Sequence, residues 1–240
     1  MSNAGGRIVV ESLQMQIQIL PSMLAADWGH LFDAARACEA GGADQLHLDV
    51  MDGHFVPNLS FGPDFVKMCR RAVRLPLDVH LMIERPDLYA ERFIEAGADA
   101  VSIHVEAGCN IAATLAAIRA RGKRAGLVVK PKTPASVLAP FVGQFDYVLV
   151  MTVEPGYGGQ AFMADMMPKV RDVAEMARGT ANPFPIMVDG GIGEKTVGQC
   201  AEAGATQFVA GSSLFKAPAM AEAIASLRAA AQSAAMASGF

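Results

Sequence analysis

The sequence predicts a single (β/α)8 TIM barrel, and two observations carry that prediction. A short text recurs three times, as Cys38–Asp44, Ile94–Asp99 and Ala201–Thr206, each closing a helix-period stretch on glycine before a β-rich run. Read outward from these junctions, eight apolar runs alternate with eight helix-period stretches and no linker interrupts them, which implies parallel strands with crossover helices.

The strand candidates are Ile17–Met23, Gln45–Val50, Leu77–Leu81, Ala100–His104, Ala125–Val129, Tyr147–Val150, Ile186–Val188 and Phe208–Ala210. The helix candidates between and after them are His30–Glu39, Asp64–Ala72, Asp87–Glu95, Ile111–Arg121, Ala135–Phe141, Ala164–Arg178, Glu194–Glu202 and Met220–Ala231. An open doubly wound sheet is the alternative, but no G-x-G-x-x-G follows the first strand. The whole chain, 1–240, reads as one domain, with 1–16 as an N-terminal extension and 232–240 as a C-terminal tail.

Composition narrows the function. With 52% hydrophobic and 18% charged residues the chain has a large interior. A net charge of -4 and no polybasic stretch exclude an electrostatic nucleic-acid footprint. No run of about 20 apolar residues offers a membrane span. Residues 1–16 carry only the short Ile8–Val10 apolar run, too little for a secretory signal. The four cysteines form no C-x-x-C pair and read as free thiols of a reducing compartment, with the cytoplasm as the default location.

Polar residues at strand ends indicate chemistry. In such barrels active sites gather at the C-terminal ends of the strands. His47, Asp49 and Met51 share one face of the second strand, and Asp78, His80 and Met82 share one face of the third. With the aliphatic face turned to the helices, these side chains point into the barrel mouth, where Asp189 ends the seventh strand. Two imidazoles and two carboxylates suit a divalent ion such as zinc, iron(II), manganese or cobalt rather than calcium. His104, ending the fourth strand, is a competing ligand that spacing does not exclude, whereas His30 and His54 fall in surface or capping contexts. Glycine-rich loops follow the sixth strand (Glu154–Gln160), the seventh (Gly190, Gly191) and the eighth (Gly211–Ser213); backbone N–H groups there can approach a phosphate. Met51, Met82 and Met151 each end a strand as core filler or as an apolar pocket wall.

Several of these segments together resemble the ribulose-phosphate 3-epimerase family from about Ile19 to about Ala217: Pro21–Asp27, His47–Asn58, Asp78–Met82, Met151–Gln160, Val188–Gly191 and Ala210–Ser212. Lys130-Pro131 is similar to the eukaryotic-type branch of that family. The resemblance implies a divalent metal held by His47, Asp49, His80 and Asp189, with Asp49 and Asp189 also serving as acid and base, and it assigns His104 no ligand role. It implies that Ser22, His80, Gly156, Tyr157, Gly158, Gly159, Asp189, Gly190, Gly191, Gly211 and Ser212 line the site of a small sugar phosphate. The implied reaction interconverts D-ribulose 5-phosphate and D-xylulose 5-phosphate through a cis-enediolate, a step of the non-oxidative pentose phosphate pathway. Relatives imply a homo-oligomer, a dimer first. The competing readings are 3-epimerisation of a hexulose 6-phosphate, a Schiff-base aldolase using Lys130, and a non-catalytic phosphate-binding barrel.

Overall fold

A computed structural model describes residues 16–238. The assignment of 1–16 as an extension therefore falls, but for Gln16, outside the described residues.

Eight parallel strands form the sheet: β1 (Gln18–Pro21), β2 (Leu46–Met51), β3 (Leu77–Met82), β4 (Ala100–His104), β5 (Arg124–Val129), β6 (Tyr147–Met151), β7 (Ile186–Asp189) and β8 (Gln207–Ala210). Neighbours follow in sequence order, β8 pairs with β1, and a parallel bridge between Ser22 and His47 brings β2 against the chain leaving β1. The barrel predicted from the repeat is therefore present. Around it lie α1 (Leu31–Ala40), α2 (Pro63–Ala72), α3 (Ala90–Ala96), α4 (Ile111–Ala120), α5 (Met167–Arg178), α6 (Val197–Glu202), the short α7 (Ser212–Phe215) and α8 (Met220–Ser238).

The three repeated junctions work as the sequence implied. Gly97 and Gly204 take positive φ (118° and 103°) where their helices end, and in the first repeat the left-handed residue is Gly42 (83°), the second of its pair. Several stretches differ from expectation: 3-10 helices cover Pro86–Leu88 and Ala164–Met166 at the heads of the helices expected over Asp87–Glu95 and Ala164–Arg178, and α6 begins at Val197 rather than Glu194. Ala135–Phe141 is a 3-10 helix rather than an α-helix, and Pro140 inside it supplies no N–H for a longer ladder. The last helix runs past Ala231 to Ser238, because alanine favours the helix and Ala231 is buried.

Among the described residues three apolar clusters result, the smallest being Met51, Val56 and Met82 near the ends of β2 and β3. One lies between the strands and the helices and includes Leu48, Val79, Ile103, Leu127, Val148 and Val188. Another fills the barrel from the side of β1 and β5–β8, with Leu20, Val128, Tyr147, Leu149, Met187 and Val209. On the side of β2–β4 the interior is polar: His47, Asp49, Asp78, His80, Ser102 and His104 are all buried. Burying that many polar groups is costly unless each finds a partner.

Candidate metal and sugar-phosphate site

Strand register brings the polar groups together. Asp49 lies beside His80 and His47 beside Asp78 across the β2–β3 pair. Asp189, at the end of β7, pairs with Met151. One donor atom from each of His47, Asp49, His80 and Asp189 falls within 4.8 Å of all the others. The four residues singled out from strand-end spacing do converge.

The hydrogen bonds around the imidazoles show what this cluster is built to receive. The Nδ1–H of His47 donates to Asp78 Oδ2 at 2.7 Å, and the other Asp78 oxygen accepts from the Tyr147 hydroxyl. His47 Nε2 thereby turns to the centre, buried and without a hydrogen-bond partner, 3.3 Å from Asp49 Oδ1 and 3.9 Å from Asp189 Oδ2. His80 Nδ1 also stands 3.3 Å from Asp49 Oδ1. Two nitrogen lone pairs and two carboxylates aimed at one point fit a divalent transition-series cation. Second partners on ligating imidazoles, as Asp78 provides here, are the usual means of orienting them.

The electrostatics agree. Burial opposes a charged His47, yet Asp49 and Asp78 outweigh it and raise the imidazole well above its ordinary pKa; the centre favours positive charge. Burial works to raise Asp49, but His47 and His80 hold it below the usual carboxylate range. Burial and then the Asp49 charge push Asp189 up to about 7. Two neighbouring carboxyl groups are thus driven apart in acidity.

Hydrogen bonds anchor the Asp49 carboxylate and the backbone that carries both aspartates. Ser22 Oγ–H donates to Asp49 Oδ2 at 2.6 Å, and Ser60 Oγ–H donates to the Asp49 carbonyl at 2.6 Å while accepting from Met51 N–H. On β7, Thr152 N–H donates to the Asp189 carbonyl and its hydroxyl to the Gly190 carbonyl, both at 2.7 Å. Gly190 and Gly191 take φ of 123° and 66°, and a Cβ at Gly191 would sit 2.6 Å from the Phe162 backbone nitrogen. Only glycine fits there.

Above the cluster opens a cleft lined by Ser22, Gly156–Gly159, Gly190, Gly191, Gly211 and Ser212, with Met51, Met82 and Met151 as its apolar wall. Tyr157 lines it too, and its hydroxyl donates to the Pro57 carbonyl at 2.9 Å; Asn58 Nδ2–H donates to the Gly156 carbonyl at 2.8 Å. These bonds tie the loop after β2 to the loop after β6.

Lys130 and His104 lie elsewhere. The Lys130 ammonium stands 3.5 Å from the Phe55 ring centroid and does not line the cleft. His104 is fully buried, with its Nε2 at 2.8 Å from His80 Nε2 and its Nδ1 at 3.3 Å from Glu106 Oε2. Burial pushes His104 down to about 3, so it is a neutral imidazole. His30 is exposed and bonded to Asp27, in keeping with a surface role. Sequence reasoning missed Tyr147, Ser60 and Glu106 and noted Asp78 only as a face-mate of His80. The D-V-H text of β3 and the H-V-E text ending β4 were the available signals, since each places a carboxylate two residues from a buried imidazole.

These features define a class: (β/α)8 barrels with a two-histidine, two-carboxylate cluster that could hold a metal ion, under a glycine-rich cleft. Residues 18–215 match the model of the ribulose-phosphate 3 epimerase family. The chain is 45% identical to a ribulose-phosphate 3-epimerase of Bacillus subtilis (strain 168), over 83% of this chain and 92% of that protein. It is 46% identical to one of Rhodobacter capsulatus, over 91% and 97% respectively. The chain belongs to the ribulose-phosphate 3-epimerase family. Among solved structures, 3-hexulose-6-phosphate synthase from Salmonella typhimurium superposes with a TM-score of 0.67 at 15% identity, covering 91% of this chain and all (100%) of that one. At that identity the likeness is one of fold.

Proposed function

We propose that this chain interconverts D-ribulose 5-phosphate and D-xylulose 5-phosphate by moving the proton at C3, with Asp49 and Asp189 as the two acid–base groups. The observation that carries the reading is the pair itself: carboxylates from β2 and β7 meeting within 4.8 Å at the floor of the cleft, their acidities split. Where two titratable groups are pushed apart in this way, one is prepared as base and the other as acid.

Inversion beside a carbonyl needs a proton removed from one face and another delivered to the opposite face. At neutral pH Asp49 is ionised and ready to take the C3 proton of one epimer. Asp189, raised to about 7, holds a proton it can return to the other face of the planar enediolate. In the reverse direction the roles exchange. Ser22, bonded to Asp49 Oδ2, keeps that carboxylate from rotating away. The methionine wall keeps water from the intermediate.

His47, Asp49, His80 and Asp189 would hold one divalent cation, with zinc, iron(II), manganese and cobalt all suited to this donor set. When bound it supplies Lewis-acid stabilisation of the negative charge on the substrate oxygens. The backbone of Gly190, Gly191, Gly211 and Ser212 grips the phosphate, so that remote binding energy places C3 between the aspartates.

The test is a coupled epimerase assay on protein stripped of metal and then reloaded. Activity lost on chelation and restored by one equivalent of cobalt(II) or zinc supports the reading. Full activity without any metal, or none with it, rejects it.

A further inference from the structure

The hydrogen-bond chain behind His80 does something the cation ligands alone do not. It begins at Glu106, which stands two residues beyond β4 and whose two carboxylate oxygens are both occupied as acceptors. Oε1 accepts the Lys130 N–H at 2.9 Å, and Oε2 faces His104 Nδ1 at 3.3 Å. An ionised carboxylate has no proton to give, so His104 Nδ1 must carry the hydrogen. The other nitrogen of that neutral ring, Nε2, is then a lone pair. It lies 2.8 Å from His80 Nε2, a distance that requires one proton between the two, and only His80 can supply it. His80 with Nε2–H has a bare Nδ1, aimed at Asp49 Oδ1 3.3 Å away. Two acceptors face one another there, and a cation satisfies both.

We propose that Glu106, acting through His104, sets the tautomer of His80 and thereby makes its Nδ1 a ligand. This rests on the metal reading given above. Glu106 and His104 are positioning residues; neither belongs to the four-residue cluster or lines the cleft. Without the Glu106 carboxylate the reversed network would be open: His80 Nδ1–H donates to Asp49, and His80 Nε2 accepts from His104 Nε2–H. That arrangement satisfies both ring nitrogens of His80 and removes it from the donor set, but it leaves His104 Nδ1 as a lone pair facing Glu106 Oε2. What separates the two networks is a carboxylate at the far end that can only accept. The packing keeps the relay from turning over. His80 and His104 are both fully buried, with rings stacked at a centroid distance of 5.0 Å, and Phe55 covers His104 at 4.8 Å. His47 is served in the same manner by Asp78, so each imidazole of the cluster has its own carboxylate at the end of its hydrogen-bond chain.

Glu106→Gln tests the idea. The amide must present its NH2 either to His104 Nδ1, which reverses the relay, or to Lys130 N–H, which sets donor against donor. Ring ¹⁵N spectra of metal-free protein report which nitrogen of His80 is protonated, and competition with a chelator reports cobalt(II) affinity. The wild type should show Nε2–H on His80. Glu106→Gln should gain the Nδ1–H form and bind cobalt(II) about 10- to 100-fold more weakly. His104→Leu, which leaves His80 Nε2 without an acceptor, should lose a similar factor. The proposal is overturned if wild-type His80 carries its proton on Nδ1, or if both variants bind cobalt(II) within about threefold of wild type. A wild type that does not bind cobalt(II) at all would remove the metal reading itself, which separates the two failures.

Discussion

Replacing either aspartate by asparagine should uncouple proton exchange from inversion. Asp49 and Asp189 come from strands on different sides of the barrel, β2 and β7, yet reach one centre within 4.8 Å. In the proposed reaction a substrate lying between them would be approached by one carboxyl on each face. Asp189→Asn removes one base and leaves the other, held by Ser22 and Ser60, where it was. The remaining base can still lift and return a proton on its own face. The loss of one positioned acid–base group costs about 10²- to 10⁴-fold in turnover, about 2.7 to 5.4 kcal/mol of barrier. Because each aspartate is also a prospective cation ligand, the variants are assayed at saturating cobalt(II) with bound metal measured. In heavy water, NMR should then show deuterium entering C3 of one pentulose 5-phosphate epimer with Asp189→Asn and of the other with Asp49→Asn, with no inversion in either. The two-base scheme fails if a metal-loaded variant inverts C3 within about tenfold of wild type, or exchanges both epimers equally.

Three further outcomes follow from the same structure. His47 is raised well above its ordinary pKa and Asp189 to about 7, and each must shed its proton to ligate; cation affinity should therefore rise with pH through about 7 and on above it, and calorimetry in two buffers should detect released protons. A pH-independent affinity would contradict the ligand set. In β5, a Cβ on Gly126 would lie 2.4 Å from Tyr147 Cζ and 2.7 Å from Ser102 Cβ, so Gly126→Ala should destabilise by about 1 to 3 kcal/mol or more in urea unfolding; an unchanged midpoint would argue against the Tyr147 ring filling the barrel. Burial pushes the Cys38, Cys69 and Cys200 thiols up to about 12, while Cys109 is partly exposed; a disulfide reagent at pH 8 should modify Cys109 rapidly and the other three only on unfolding. Two or more fast thiols in the folded protein would refute that placement.

The repeated junction text was enough to define the barrel, because glycine at a helix end and an apolar run after it are local requirements that each βα unit must meet alone. Strand alternation likewise placed His47, Asp49 and His80 on inward faces, and a strand end delivered Asp189. Local pattern was weaker where local forces are weak. Ala135–Phe141 carries helix-like apolar spacing, yet Pro140 and a short span leave it a 3-10 turn.

Tertiary structure alone decided which polar residues belong to one another. Spacing alone does not distinguish His104 from His80, since both are histidines on inward faces near strand ends; only the family resemblance separated them. Their roles separate because register sets His80 beside Asp49 while His104 backs onto His80 and Glu106. Tyr147 reads as an apolar strand residue, and only closure of the sheet brings its hydroxyl across 69 positions of sequence to Asp78. The physical reason is range. Backbone conformation follows from neighbours a few residues away, whereas a buried hydrogen bond has a direction and a partner that exist only once distant strands have been brought into register.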